Sequence, residues 1–384
     1  MTGADTIFAG LNTPRLILDA DRLERNAAQM RAHCQRLGVT LRPHLKTAKS
    51  VDVARVAADG EQGPITVSTL AEAEHFAAAG WRDILYTTAI APAKLPRVHR
   101  IQSDHGARLL LTLDDRGTAI ATGEAASALG ARFGILVEID CGEHRSGTEP
   151  ASDELVAVAR AVAHGSPHVE LMGVMTHAGH SYAFDDPASI RALAETERHA
   201  AVASAQLLRS HGFPCPIVSI GSTPTVAFAD QLEGVTEVRA GIYLFGDLSQ
   251  WSRGVCAREH IAVSVLATVI GHQRRGPSPS LILDAGALAL SKDVGANRFM
   301  SNAGYGLVCD AATLAPLASL TVATVHQEHG AVPIPDASWF GRLPIGSLVR
   351  ILPGHACLTC APYASYDVLR AGKLVAEWPR TSGW

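Results

Sequence analysis

The sequence predicts a (β/α)8 barrel followed by a mostly β domain. Three observations carry this. Short β-branched runs alternate with Ala-rich helical stretches over the first two thirds of the 384-residue chain. Eight such runs fall within about 210 residues, against the roughly 200–250 that a barrel of this kind uses. After Gly241 the long helical stretches stop, and strand-like runs follow one another through loops carrying Gly, Pro and Asp.

Residues 15–18 read as a short strand assigned to the β domain, ahead of a first helix at 22–37. The barrel strands are expected at 39–42, 65–68, 84–86, 109–112, 134–139, 171–175, 217–220 and 237–240. Helices are expected at 71–79, 116–129, 153–164 and 190–210. A repeated strand–helix order argues for a parallel sheet with helices packed outside it. Beyond the barrel, strands are expected at 261–271, 280–283, 317–325, 348–352 and 374–377, with loops at 274–279 and 331–338. The domains are thus 20–250 for the barrel, and 251–384 with strand 13–19 for the β domain.

Composition excludes several classes of function. Charged residues make up 18% of the chain and the formal net charge is -4. That balance speaks against nucleic-acid binding, which needs a basic face to release counterions. No apolar run approaches the roughly 18 residues that cross a bilayer. Residues 1–5 show no basic segment leading into an apolar one, so no signal peptide is expected. Seven cysteines, an odd number, argue for the reducing cytoplasm rather than a disulfide framework.

In a barrel the reactive groups gather just after the strands, at the C-terminal mouth. The first strand leads into Pro43-His44-Leu45-Lys46-Thr47, the second into Thr69, the third into Thr87-Thr88 and the fourth into Asp114. The fifth runs through Glu138-Ile139-Asp140 to Gly142, His144 and Arg145. The sixth ends at Thr176-His177-Ala178-Gly179-His180-Ser181-Tyr182. The seventh leads into Gly221-Ser222-Thr223-Pro224-Thr225 and the eighth into Arg239-Ala240-Gly241-Ile242-Tyr243.

Each candidate has a plainer alternative. Lys46 suits an amine that attacks a carbonyl and forms a Schiff base, or is a surface lysine like Lys49. Gly221-Ser222-Thr223 offers backbone N–H groups and hydroxyls to a phosphate, or is an ordinary turn. It lacks the spacing of a P-loop. Arg145 is a mouth loop residue or a helix-surface charge. Tyr182 and Tyr243 are site residues or amphipathic core aromatics. His355-Ala356-Cys357, in extended chain, places an imidazole and a thiolate on one side for a divalent metal. Cys360 adds a C-x-x-C spacing, but nothing completes a four-ligand structural site, and the deaminase order of motifs is absent. Gln327-Glu328-His329-Gly330 is a turn or a His–Glu pair facing the site.

These segments, taken in order with Thr13-Pro14, Arg145-Ser146-Gly147 and Pro353-Gly354-His355-Ala356-Cys357, resemble the D-serine dehydratase / D-threonine aldolase family of fold-type III pyridoxal-phosphate (PLP) enzymes. The resemblance runs from about Thr13 to Trp384. It implies an alanine-racemase-type barrel with a β domain, working as a homodimer. It also implies that Lys46 holds PLP covalently, that Gly221, Ser222 and Thr223 hold its phosphate near Tyr243, and that Arg145 lies beside its ring. His177 and Tyr182 would line the substrate side, with Lys46 as base and His177 orienting or protonating the leaving oxygen. His355 and Cys357 would bind a divalent metal: zinc first, given the thiolate, with magnesium, manganese and cobalt as further candidates. The family's aldolases resemble H-x-D at this motif and its dehydratases H-x-C. The implied activity is therefore dehydration of a D-3-hydroxy amino acid, such as D-threo-3-hydroxyaspartate or D-serine, to a 2-oxo acid and ammonia. The alternatives are an aldolase releasing glycine and an aldehyde, and a non-catalytic PLP-binding protein.

Overall fold

The computed structural model describes residues 7–275 and 278–384. The N-terminal residues 1–5 and the centre of the 274–279 loop lie outside the described residues. The chain divides into two compact units: 28–241 with the last two residues, and the segment up to Ala27 with Ile242–Ser382.

The first unit is a barrel of eight parallel strands. They are β2 (Thr40–Leu41), β3 (Ile65–Val67), β4 (Asp83–Tyr86), β5 (Arg108–Leu113), β6 (Phe133–Ile139), β7 (Val169–Thr176), β8 (Ile217–Ile220) and β9 (Glu237–Val238), with β1 (Arg15–Asp19) preceding them in the other unit. Neighbours run β2-β9-β8-β7-β6-β5-β4-β3. The last gap is closed by a single parallel bridge between His44 and Thr66. There the Thr66 N–H donates to Pro43 O and the Leu45 N–H to Thr66 O, each at 2.9 Å. All eight barrel strands fall where the sequence places them, with ends shifted by a residue or two.

The connecting helices start where capping chemistry starts them. Thr69, Asp115, Ser152 and Asp186 each accept a backbone N–H three residues on, opening Leu70–Ala78, Arg116–Leu129, Asp153–His164 and Pro187–Ser210. Helices Val51–Ala57, Leu95–His105 and Thr223–Phe228 were not expected. The first has only seven residues, and the second carries Pro96 in its first turn. Strand β7 bulges at Met172, so that Ile135 pairs with Leu171 but Leu136 with Gly173. Gly173 has φ +149, and a Cβ there would stand 1.9 Å from Ile217 O, so only glycine fits.

A buried polar chain runs through the barrel. Arg42 donates to Glu237 and to Asp83, both at 2.8 Å. Ser219 donates to Glu237 at 2.7 Å and accepts from Arg239 at 2.5 Å. Arg239 also donates to Thr176 O.

The second unit is built on β1, β10 (Val263–Gln273), β11 (Ser280–Leu283), β12 (Gly306–Asp310), β13 (Pro316–Thr321), β14 (Thr324–Val325), β15 (Gly330–Pro333), β16 (Leu348–Pro353), β17 (Ser365–Arg370) and β18 (Lys373–Pro379). The main sheet runs β13-β12-β16-β10-β1-β17-β18, with β11, β15 and β14 branching from β10. The expected strand at 317–325 is two strands. At Val322-Ala323 the chain changes partner: Val322 N–H donates to Gly306 O, and Ala323 N–H to Ala331 O. Residues 331–333 of the expected loop fall in β15, which pairs antiparallel with β11 on one side and β14 on the other despite its Gly and Pro.

Candidate active site

The mouth of the barrel holds a cavity of about 330 Å³. Lys46, Arg145, His177 and Gly221 line it, joined by His44, Ser68, Thr87, Thr88, Glu138, Met175 and Arg239. These come from the loops that follow seven of the eight strands and from the strand ends themselves. His44 is held on both sides, its N–H on Ala240 O at 2.8 Å and its neighbours on Thr66. That fixes the segment carrying Lys46, two residues on.

Two imidazoles flank the lysine. His44 lies far below its ordinary pKa, first because it is buried and then because Lys46 and Arg239 repel its charged form. Lys46 N–H donates to His44 Nδ1 at 3.4 Å, leaving Nε2–H to face Ser68 and Thr87. His177 is pushed down to about 3 by burial and then by Lys46. Its Nδ1 donates to Gly221 O at 2.6 Å, so Nε2 carries the lone pair. Both rings are therefore neutral near pH 7, and His177 acts as a hydrogen-bond acceptor at Nε2. Glu138 is raised by burial, against a hydrogen bond from Ser146 at 2.9 Å and the nearby Arg145.

The Gly221-Ser222-Thr223 loop is tightly held. Gly221 has φ +137, and a Cβ there would stand 2.8 Å from Arg239 N, so backbone approaches backbone without a side chain. Ser222 caps the Thr223–Phe228 helix in a capping box with Thr225. Thr223 Oγ1 accepts from Gly241 N–H at 3.3 Å. Of the three residues, Gly221 lines the cavity, while Ser222 and Thr223 are 1% and 3% exposed. Tyr182 sits half-buried in the 3-10 turn Gly179–Ala183, outside the cavity wall.

Tyr243, His355 and Cys357 belong to the other unit. His355 is extended, with φ -142 and ψ 106, and N-caps the short helix Ala356–Cys360. Cys357 is therefore in a first helical turn rather than in extended chain. Pro353-Gly354 ends β16, and Ala356 N–H is fixed by Asp247 at 2.9 Å, which starts the helix one residue before the cysteine. Cys357 still lies within hydrogen-bonding reach of the imidazole. Burial alone would lower His355; Asp293, Cys357 and Asp247 outweigh it and raise the ring to about 11. His355 Nδ1 donates to Asp293 at 2.6 Å, which leaves Nε2 for a ligand. A carboxylate on the far nitrogen is the usual support of a metal-binding histidine.

Among the described residues no group of three or more His, Cys, Asp and Glu side chains is gathered for a metal. Cys360 is fully buried, its thiol pushed up to about 12 by burial, and no disulfide joins the described cysteines. Residues 327–329 form the exposed turn between β14 and β15.

His44 and Arg239 were not among the expected site residues. His44 carried a signal: spaced two from Lys46 on extended chain, it shares the lysine's side. Arg239 carried a weaker one, as a charged residue inside an apolar strand end.

Comparison with known proteins shows the family. Residues 18–249 match the family described as "Alanine racemase, N-terminal domain", and residues 262–369 the "Putative serine dehydratase domain". The chain is 45% identical to D-threo-3-hydroxyaspartate dehydratase of Delftia sp. (strain HT23), over 99% of this chain and all of the relative. It is 30% identical to D-serine dehydratase of Dictyostelium discoideum, over 94% of this chain and 93% of the relative. A solved structure of a cysteine-to-alanine variant of D-threo-3-hydroxyaspartate dehydratase "in the metal-free form" superposes with a TM-score of 0.93 at 43% identity, covering 98% of this chain and 100% of that one.

Proposed function

From the premise that this chain belongs to the D-serine dehydratase / D-threonine aldolase family of PLP enzymes, with an alanine-racemase-type barrel and a serine-dehydratase domain, we propose that it is a metal-assisted dehydratase of D-3-hydroxy amino acids. The substrate class is D-threo-3-hydroxyaspartate or D-serine, and the products are a 2-oxo acid and ammonia. The observation that carries the choice of dehydration is the His355–Cys357 pair, a thiolate where the aldolases resemble a carboxylate.

The residues fit both groups. At the barrel mouth, Lys46 Nζ would link to the PLP aldehyde, Gly221 to Thr223 would hold the phosphate, and Arg145 would lie beside the ring. Gly221 supports this, because only glycine lets the loop turn at φ +137 against the Arg239 backbone, and Ser222 and Thr223 follow that turn. PLP, when bound, supplies an electron sink for charge at the substrate Cα. Lys46 Nζ would also be the base placed to take the Cα proton. His177 Nε2, neutral and fixed by Gly221, accepts a hydrogen bond from the substrate and orients it. Tyr182 is proposed on the substrate side and Tyr243 as a contact of the phosphate.

In the β domain, His355 Nε2 and Cys357 Sγ would hold the metal, with zinc first because a soft thiolate favours it. A divalent ion there supplies Lewis-acid stabilisation for a departing hydroxide. Asp293 orients His355, and Asp247 fixes the turn that brings the two donors together. Two donors leave coordination positions for water or substrate, as in catalytic rather than structural sites.

We further propose a homodimer in the reducing cytoplasm. Leu288 is 55% exposed and Leu358 48% exposed, on two short helices beside the His355–Asp293 pair, which supports a second copy covering that surface. No helix among the described residues is long and apolar enough to cross a membrane.

The test is a panel of D-serine, D-threonine and both 3-hydroxyaspartate diastereomers, with and without chelator, read by product. A 2-oxo acid with ammonia, lost on chelation, is the expected outcome. Glycine with an aldehyde would make the protein an aldolase, and no turnover would leave a PLP carrier. L-isomers releasing ammonia as fast as D-isomers would contradict the proposed site.

A further inference from the structure

Glu197 takes no part in the chemistry above, yet it is fully buried on the helix Pro187–Ser210. Its carboxylate accepts from Ala178 N–H at 2.9 Å, from Gly221 N–H at 3.1 Å and from the Thr225 hydroxyl at 2.6 Å. These three donors belong to two loops. Ala178 follows His177 after β7, and Gly221 and Thr225 belong to the loop and helix after β8. The carbonyl of Gly221 is meanwhile held by His177 Nδ1, so both backbone polar groups of that glycine are committed. A hydrogen bond at 3.0 Å between Ser181 and Ser222 ties the same two loops again.

A buried carboxylate is costly, and burial raises this one's pKa. A leucine would fill the same space without that cost. What the carboxylate adds is two oxygens able to receive three donors converging from different directions. Removing it would leave two N–H groups buried without an acceptor, Ala178 in the His177 loop and Gly221 in the loop proposed to hold the phosphate.

We propose that Glu197 is a positioning residue: it locks the Gly221–Ser222–Thr223 loop to the His177 loop, and so sets both the cradle for the cofactor's phosphate and the orientation of His177. This rests on the reading of that loop as the phosphate site. Glutamine keeps one acceptor oxygen for the two N–H groups and offers its amide to the Thr225 hydroxyl, which can accept. It should therefore largely preserve the lock, whereas alanine cannot.

The test measures affinities of the cofactor-free chain for PLP and for pyridoxal, which has the aldehyde but no phosphate. Circular dichroism and Tm are recorded alongside. Glu197→Ala should weaken PLP binding 10-fold or more and pyridoxal binding less than about 3-fold, while Glu197→Gln stays within about 3-fold of wild type for both. A merely structural role would move both ligands together. Equal losses for PLP and pyridoxal, wild-type PLP affinity in Glu197→Ala, or a Glu197→Gln as weak as the alanine variant would each overturn the proposal. If Glu197→Ala does not fold, Thr225→Val, which removes one partner of the carboxylate, is read the same way. Wild-type protein that forms no Lys46-dependent visible absorbance with PLP would instead overturn the cofactor reading itself.

Discussion

At the scale of single residues, the proposed function gives Lys46 and Cys357 the specific chemistry. The family resemblance picked out both, while His44 and Arg239 were not among the expected site residues. Lys46→Ala is expected to abolish both the visible absorbance with PLP and turnover, measured by spectrophotometry and ammonia release. Cys357→Ala should stop turnover while PLP stays bound, because the thiolate is proposed to hold the metal and not the cofactor; bound metal would be counted by atomic absorption. Gly221→Ala forces an L-residue to φ +137 against Arg239 N at 2.8 Å. Strain of this kind costs on the order of 1–3 kcal/mol, so PLP affinity should fall at least 5-fold in a fluorescence titration. His44 and Arg239 stayed hidden for a physical reason. Their roles depend on neighbours from other strands: Ser68 and Thr87 around one, Ser219 and Thr176 around the other. No pattern within a single segment reports such neighbours.

At the scale of elements, parallel strands such as β5 and β6 were legible because they are largely buried and read as apolar runs. The β domain was less so. β12 opens on Gly306, β15 spans Gly330 to Pro333, and β17 carries Asp367 and Arg370 within its run. Local signals there say loop, and pairing across the sheet says strand. The helical turn at Cys357 was missed for a similar reason, since Asp247, over a hundred positions away, supplies the acceptor that starts it. The polar chain inside the barrel gives an element-scale prediction. Arg42 is 3% exposed and bridges Glu237 on β9 with Asp83 on β4. Arg42→Met leaves Glu237 buried without its cation. That should cost about 3–5 kcal/mol in urea unfolding, whereas an exposed pair such as Arg370–Glu24 should cost under about 1 kcal/mol.

At the scale of the whole molecule, buried neutral imidazoles tie stability to acidity. His177 is held at about 3 in the folded chain against an ordinary 6.5. Between those values the unfolded chain binds the proton and the folded one does not, so stability is lost as pH falls from 6.5 toward 3. Replacing His177 with Asn removes that term. The stability difference between wild type and variant should therefore shift by about 2 kcal/mol from pH 7 to pH 5, with the wild type losing more, in paired urea titrations of the cofactor-free chain. The raised carboxyl groups of Glu138 and Glu197 act in the opposite sense and are common to both proteins, so the comparison isolates the histidine. The ring of strands, finally, is fastened at one point, where Leu45 and Thr66 share their bonds. A hoop with one clasp comes undone there first, and this clasp adjoins Lys46, the amine proposed to take the aldehyde. Deuterium should enter the Leu45 and Thr66 amides ahead of those in β5 to β7, and loading the chain with its aldehyde ligand should slow that entry.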